Sequence, residues 1–333
     1  MSLQYVSPTQ IMFMSERTQA IGYLQVINEV VKNGPVDQVQ LLKPRYLEIV
    51  DVVNETTILS GNTLIRKMRA KLMSRIAIRL LPAPKIRRRG RILDDSVLFH
   101  REGEEGNLDE YEVPEIVETL LQSLFDTIQD KVSRQFVSCL RGIHLCVKDT
   151  VVRWSAAKGV ARIAERLPSD LASQILDTVM DMFSIHLIAA ANLDYLPPVA
   201  ESTWHGAALA CAEIARRGLV TLDQLPILIG WISKALYFDL RKGSHSIGSN
   251  IRDAAAYVLW SLARTQNVAS LQPYATDLAH RLITVALFDR EPHIRRAASA
   301  AFQEHVGRTV NVLKIGAVNS YSPRVPEPVP PWY

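Results

Sequence analysis

The chain has 333 residues, 48% hydrophobic and 22% charged, with 38 Lys and Arg against 34 Asp and Glu for a formal net charge of +4. That much apolar material excludes wholesale disorder, and so small a positive excess argues against a dedicated nucleic-acid binder. Three cysteines, Cys139, Cys146 and Cys211, are too few and too odd in number for a disulfide framework; they suit a reducing compartment, and a soluble cytoplasmic protein is expected.

In chain order, the opening MSLQYVSPTQIMFMSER lacks the basic start and unbroken apolar core of a secretory signal. NTLIRKMRAKLMSRIAIRLL reads as one helix, with Leu64, Met68, Leu72 and Ile76 at i, i+4 spacing. Near Ala83 the periodicity stops. The basic run KIRRRGR gives way to the acidic EGEEGNLDEYE, close enough for the two fields to cancel in part, and aromatics for base stacking are missing around the basic run. Residues 83–113 are therefore read as a charged linker between N-terminal helical repeats, 1–82, and a repeat array, 114–308.

Within the array, DTVVRWSAAKGVARIAERLP, NIRDAAAYVLWSLA and HIRRAASAAFQEHVG each enter through a Val-Arg or Ile-Arg pair. Counted from Arg153, Arg252 and Arg295, alanine stands at +3 (Ala156, Ala255, Ala298) and apolar residues at +7 (Val160, Leu259, Phe302) and +11 (Ala164, Ala263, Val306). Arg252 and Arg295 lie 43 positions apart, inside the range of HEAT-type helical pairs. Amphipathic helices alternate with these Ala-rich ones. LASQILDTVMDMF carries the stripe Leu171, Ile175, Val179 and Met182; LDQLPILIGWISKAL has Pro226 near its start; DLAHRLITVALF carries Leu278, Leu282, Val285 and Ala286. In the turn DREPHIR, Pro292 is expected to end the preceding helix and Ile294 to plug the core of the pair.

One such pair cannot bury its stripe alone, so the units must stack. The fold class is all-α, a HEAT/armadillo-type α-solenoid of stacked antiparallel helix pairs. Two stretches fit poorly. Residues 125–148 form an irregular surplus with no place in a two-helix unit and are read as a loop insertion; residues 309–333, with SPRVPEPVPPWY, are read as a Pro-rich, disordered or extended tail.

The candidate site residues divide into two groups. Arg153, Arg252 and Arg295, with acids such as Asp149 and Asp289, are read as a structural ladder of pairs across turns or between repeats, partly exposed and each stabilising by about 0–1 kcal/mol. Trp154 lies about 200° around its helix from Val152, on the side of Lys158, Arg162 and Glu165. There it packs against a neighbouring repeat or anchors a partner, and Trp154, Lys158 and Arg162 are the partner-binding candidates.

GSHSIGSN lacks a Gly-Lys-Ser/Thr ending and a preceding strand, so it is read as a flexible turn with Ser249 or Asn250 as the next N-cap, not a phosphate loop. Cys139, His144 and Cys146 lack a fourth ligand for zinc. No Gly-x-Ser-x-Gly or HExxH motif appears. No catalytic residue, metal or cofactor is assigned, and the chain is not expected to be an enzyme.

Four phrases in order, DTVVRWSAAKG, WHGAALACAEIARRGLV, SIGSNIRDAAAYVLW and LFDREPHIRRAASAAFQEHVGR, resemble the repeat region of the tubulin-specific chaperone D (tubulin-folding cofactor D) family. SGNTLIRKMRAKLMSRI is similar to the same family ahead of its charged linker. The likeness runs from Gly61 to Arg308, excluding the linker and the surplus segment; past Arg308 the family pattern is lost. It implies binding to β-tubulin and assembly and disassembly of the αβ-tubulin heterodimer. It also implies work with cofactors C and E and an Arf-like small GTPase, GTPase activation on tubulin, and a cytoplasmic, microtubule-associated setting without nucleic-acid binding or membrane insertion. The alternative is a generic HEAT-repeat interaction scaffold of transport or regulatory type; an enzyme stands third.

Overall fold

A computed structural model describes residues 8–34, 45–46, 48–49, 62–82, 113–128, 150–184, 198–242 and 245–320. The elements in order are α1 (Pro8–Asn33), α2 (Thr63–Leu80), α3 (Glu115–Ile128), α4 (Thr150–Ala164), α5 (Ser169–Asp181), α6 (Pro198–Ala215) and α7 (Leu225–Ala235). A hairpin of β1 (Leu240–Lys242) and β2 (His245–Ile247) leads into α8 (Ser249–Thr265), the short α9 (Val268–Leu271), α10 (Ala275–Phe288) and α11 (Pro292–Ser320).

The helices form two layers. One runs α2, α4, α6, α8, α11, each helix packed on the next; the other supplies α1 and α3 over α2, α3 also over α4, α5 over α6, α7 over α8 and α10 over α11. This is an all-α solenoid. Because α2 packs directly on α4, the helices before and after residues 83–112 share one layer and one core.

Composition explains which helix takes which layer. The Ala-rich helices have neighbours on both sides and a covering helix, so small side chains must line most of their circumference. Ala156, Ala157, Gly159 and Ala161 of α4 are all buried, as are Ala207, Ala208, Ala210 and Ala212 of α6. Two glycines mark the closest approaches. A Cβ on Gly159 would stand 3.0 Å from Ser74 Cβ, and one on Gly206 would stand 2.4 Å from the Ile128 carbonyl oxygen. The covering helices instead present one wide apolar face, as in Val117, Leu120, Leu121, Leu124 and Ile128 of α3.

Between α6 and α7 the core is aromatic. Trp204 is fully buried and meets Phe183 edge-on at 5.2 Å and Trp231 edge-on at 6.1 Å, with Phe238 at 5.2 Å. Such pairs stabilise by about 0.5–1.5 kcal/mol each beyond their buried area.

Helix ends in the array are closed by the neighbouring unit. Arg79 donates to the Val31 and Lys32 carbonyls at the end of α1, Arg166 to the Ile78 and Pro82 carbonyls at the end of α2, and Thr265 Oγ1 to the Ala215 carbonyl at the end of α6. The last carbonyls of a helix lack partners within it, and a cation there also meets the negative end of the helix dipole; the Ala215 carbonyl accepts from the Gly218 amide as well.

Several expectations need correction. Leu64 and Leu171, the first members of their stripes, are exposed, while Met68, Leu72 and Ile76 on α2 and Ile175, Val179 and Met182 are buried as expected; Ile65 and Ala172, one residue on, are buried in their place. Phe125 and Ile128, placed in the surplus segment, are buried in α3, so the helix outlasts the assigned boundary; residues 129–148 of that segment lie outside the described residues. GSHSIGSN contributes a short hairpin rather than an irregular turn, and α8 is capped by Gly248, not by Ser249 or Asn250. Gly248 has φ +141°, and a Cβ there would stand 2.4 Å from the Phe238 carbonyl oxygen, so only glycine fits. Pro292 opens α11 instead of ending α10; Asp289 Oδ1 accepts from the Glu291 amide in the turn between, and Ile294 is buried as expected. Helix α11 continues to Ser320, past the boundary drawn after Arg308; residues 321–333, the linker residues 83–112 and Asp149 lie outside the described residues. Among the described residues no helix is long and apolar enough to cross a membrane.

Candidate functional site

The three ladder arginines sit at equivalent entries to α4, α8 and α11, yet their partners differ. Arg252 meets two acids: its Nε donates to Asp289 Oδ2 at 2.7 Å and its Nη2 to Oδ1 at 3.3 Å, with side-chain exposures of only 7% and 6%, and its Nη1 lies 3.7 Å from the half-exposed Asp239. Its Nη1 donates to the Phe238 carbonyl at 2.8 Å, which ties the start of α8 to the end of α7. Arg153 is buried and donates from Nε to His205 Nδ1 at 3.1 Å and from Nη1 to Ser202 Oγ at 3.4 Å. Arg295 donates to the Asp289 and Arg290 carbonyls at 2.7 and 3.1 Å. The Arg252–Asp289 pair is more buried than the partly exposed pairs expected, while Asp149, the acid expected beside Arg153, lies outside the described residues. Arg252–Asp289 is a buried, bidentate pair, and breaking such a pair costs about 3–5 kcal/mol because the surviving charge is stranded.

Burial, and then the Arg153 charge, hold His205 at a pKa of about 3. It therefore stays neutral, with Nδ1 as acceptor, throughout the pH range in which an exposed histidine would titrate.

The outward side of the α4–α6–α8 layer carries a second, different arrangement. Its centre is Glu213 of α6, whose side chain is wholly buried. Its Oε1 accepts from Trp154 Nε1 at 3.3 Å and from the Tyr257 hydroxyl at 3.2 Å; its Oε2 accepts from Arg217 Nη1 at 2.7 Å. Desolvation raises the Glu213 pKa, but the hydrogen bond and charge of Arg217, then Arg216 and Trp154, outweigh it and hold the carboxyl below the usual range. Arg217 also reaches Glu165 of the preceding unit at 3.3 Å. One ionised carboxylate thus fixes side chains from three successive helices.

Above it lies a row of rings and cations. Trp154 is 45% exposed, with Lys158 Nζ over its ring at 4.8 Å and the Tyr257 ring at 6.4 Å. Tyr257 stacks on Trp260 at 6.0 Å, and Arg264 lies over Trp260 at 4.8 Å. Arg216 donates to the Tyr257 hydroxyl from the exposed edge of α6. Arg162, one further turn along α4, is exposed.

Trp154 is divided between the two settings posed as alternatives: one part of the ring packs against a neighbouring unit, and nearly half of it is exposed. Of the sequence candidates, Trp154, Lys158 and Arg162 share this face. Glu213, Arg216, Tyr257, Trp260 and Arg264 were missed. The available signal was on α8, where Tyr257, Trp260 and Arg264 follow each other at i, i+3 and i+7 on the side away from Ala255. Nothing in the sequence placed Glu213 beneath them.

Among the described residues no cluster of three or more His, Cys, Asp or Glu could hold a metal ion. Cys139, His144 and Cys146, and the basic run at 85–91, lie outside the described residues. Cys211 is buried, and desolvation pushes its thiol far above the ordinary range, so it is inert at neutral pH.

Residues 64–315 match the family described as "Tubulin-specific chaperone D-like, ARM repeats". Tubulin-specific chaperone D of Dictyostelium discoideum is 42% identical over 170 residues, covering 51% of this chain and 11% of that protein. Tubulin-folding cofactor D of Schizosaccharomyces pombe is 28% identical over 297 residues, covering 88% of this chain and 25% of that protein. The chain therefore spans a quarter or less of the length of either relative.

Proposed function

Since the chain belongs to the tubulin-specific chaperone D-like family of ARM-repeat proteins, we propose that it serves a tubulin-folding chaperone by gripping β-tubulin. In this reading it holds a subunit during assembly and disassembly of the αβ-tubulin heterodimer in the cytoplasm or at microtubules. Tubulin-folding cofactors C and E and an Arf-like small GTPase are its further partners. Any GTP hydrolysed is bound by a partner, and this chain contributes surface rather than chemistry.

The observation that carries the reading is the family match across residues 64–315, which takes in α4, α6 and α8 in full. The Trp154–Tyr257–Trp260 face adds a physical reason. Half-exposed aromatics held in place by a buried carboxylate lose little conformational freedom on binding, the property of a binding hot spot. In the same reading, residues 1–82 and 114–308 are two stretches of one array.

Size-exclusion chromatography of the chain with αβ-tubulin tests this. Co-elution with β-tubulin is the expected result. Separate elution of a folded, monomeric chain would place the grip outside these residues.

A further inference from the structure

The cations of the outward face extend beyond the Glu213 cluster. On α2, Lys71 is exposed and Lys67 and Arg75 are half-buried; on α4, Lys158 and Arg162 continue the row. The Lys71 ammonium is held below the ordinary lysine range by desolvation first, and then by four like charges, Lys67, Arg75, Lys158 and Arg162. Proteins normally intersperse opposite charges on such a surface. Here, among the described residues, none of Lys71, Lys158, Arg162 and Arg264 makes an ion pair with a carboxylate. The acids near this face are committed or marginal: Glu213 is buried under Trp154, Glu165 pairs with Arg217, Asp253 sits near the start of α8, and Glu29 of α1, paired with Lys32, lies beside Arg75 at the α2 end of the row.

A row of uncompensated cations suits an anion, and the rings decide which kind. Single-stranded nucleic acid would need open aromatic faces on which bases stack. Trp260 has Arg264 over its ring and Tyr257 stacked on it; Trp154 has Lys158 over its ring and Tyr257 tilted against it. A cation lies over each ring, so a base stacking there would have to displace it, and part of Trp154 stays exposed beside Lys158. Carboxylates can meet those cations while the aliphatic stems of the same acidic side chains lie along the exposed part of Trp154.

We propose that the face running from Lys71 through Arg162, Lys158 and Trp154 to Arg264 binds an extended, glutamate-rich peptide segment of a partner protein. The inference rests on the reading of this face as the partner surface and names its chemistry. From α2 to α8 there are three helix spacings, about 27 Å at about 9 Å each. An extended peptide at about 3.3 Å per residue crosses that distance with about eight residues.

The test is fluorescence anisotropy of the full chain with a labelled ten-residue peptide of alternating Glu and Gly, beside its Gln-for-Glu counterpart. The Glu peptide binds, and binding weakens as salt is raised from 50 to 200 mM, about the range over which screening sets in. The Gln peptide binds at least about tenfold more weakly, and so does the Glu peptide to the Lys158→Glu/Arg264→Glu double variant, which melts with the parent. A four-residue Glu peptide, too short to span the face, is weaker again. Equal binding of both peptides, no binding of either, or a ten-nucleotide RNA displacing the Glu peptide at lower concentration would each overturn the proposal. Loss of tubulin co-elution with peptide binding intact would defeat the chaperone reading alone; tubulin co-elution without peptide binding would defeat this one alone.

Discussion

The entry turns of the solenoid and its outward face use the same kind of side chain to opposite ends. At the turns, Arg153, Arg252 and Arg295 point into the structure and are fully engaged: Arg252 by Asp289 and a carbonyl, Arg153 by His205 and Ser202, Arg295 by two carbonyls. On the face, Lys71, Lys158, Arg162 and Arg264 are held over rings or lie beside other cations, and among the described residues none of them forms an ion pair with a carboxylate. The first set closes gaps between units and should dominate stability. The second costs a little stability through repulsion and should matter only when a partner arrives. Cation count alone says nothing about function; the partner of each cation does.

Substitutions can break that contrast at its strongest point first. Asp289→Ala leaves the buried Arg252 with only the half-exposed Asp239 at 3.7 Å, and should lower the unfolding free energy by about 3 kcal/mol, the low end for a broken buried pair, read by urea denaturation. Glu213→Ala should come close to this, because Arg217 loses its buried acid while Trp154 and Tyr257 lose a shared acceptor; a drop below about 1 kcal/mol would mean that the cluster does not organise the face. Gly206→Ala drives a methyl into the Ile128 carbonyl and should cost about 1–3 kcal/mol by the same assay.

The pH dependence sharpens the comparison further. His205 is held neutral down to about pH 3, whereas in the unfolded chain it binds a proton below about 6.5. Between those values the unfolded state carries the extra proton, so stability present above pH 6.5 is lost as pH falls, by up to about 1.4 kcal/mol per unit. His205→Gln should flatten the slope of unfolding free energy between pH 6.5 and 5 relative to the parent. An unchanged slope would show that Arg153 and His205 do not form the closed pair described. The smallest effect belongs to the face: Lys158→Ala should alter stability by less than about 0.5 kcal/mol.

Much of the fold was legible because it is written in local periodicity. The Ala-rich repeats, their Val/Ile-Arg entries and the buried Ile294 follow from spacing alone. Leu64 and Leu171 are exposed at the first turns of their helices, where the adjacent Ile65 and Ala172 turn inward instead, while the rest of each row is buried. The hairpin before α8 was missed because three-residue strands are too short to show alternation, and Gly248 was read as mere flexibility although the chain there needs φ of +141° and an approach no Cβ permits. Of the site, Trp154, Lys158 and Arg162 were legible from their angle on one helix. The rest depends on α6 and α8 arriving beside α4, and Glu213 meets Tyr257 across 44 positions of sequence. No local pattern encodes that meeting.

The most direct test of the contrast is size-exclusion chromatography of αβ-tubulin with the parent chain and with Lys158→Glu/Arg264→Glu, both verified as folded by thermal melting. The account predicts that the parent co-elutes with β-tubulin and the variant, equally stable, does not. Co-elution of both to the same extent would contradict it, and would mean that the outward cations and rings are surface and nothing more.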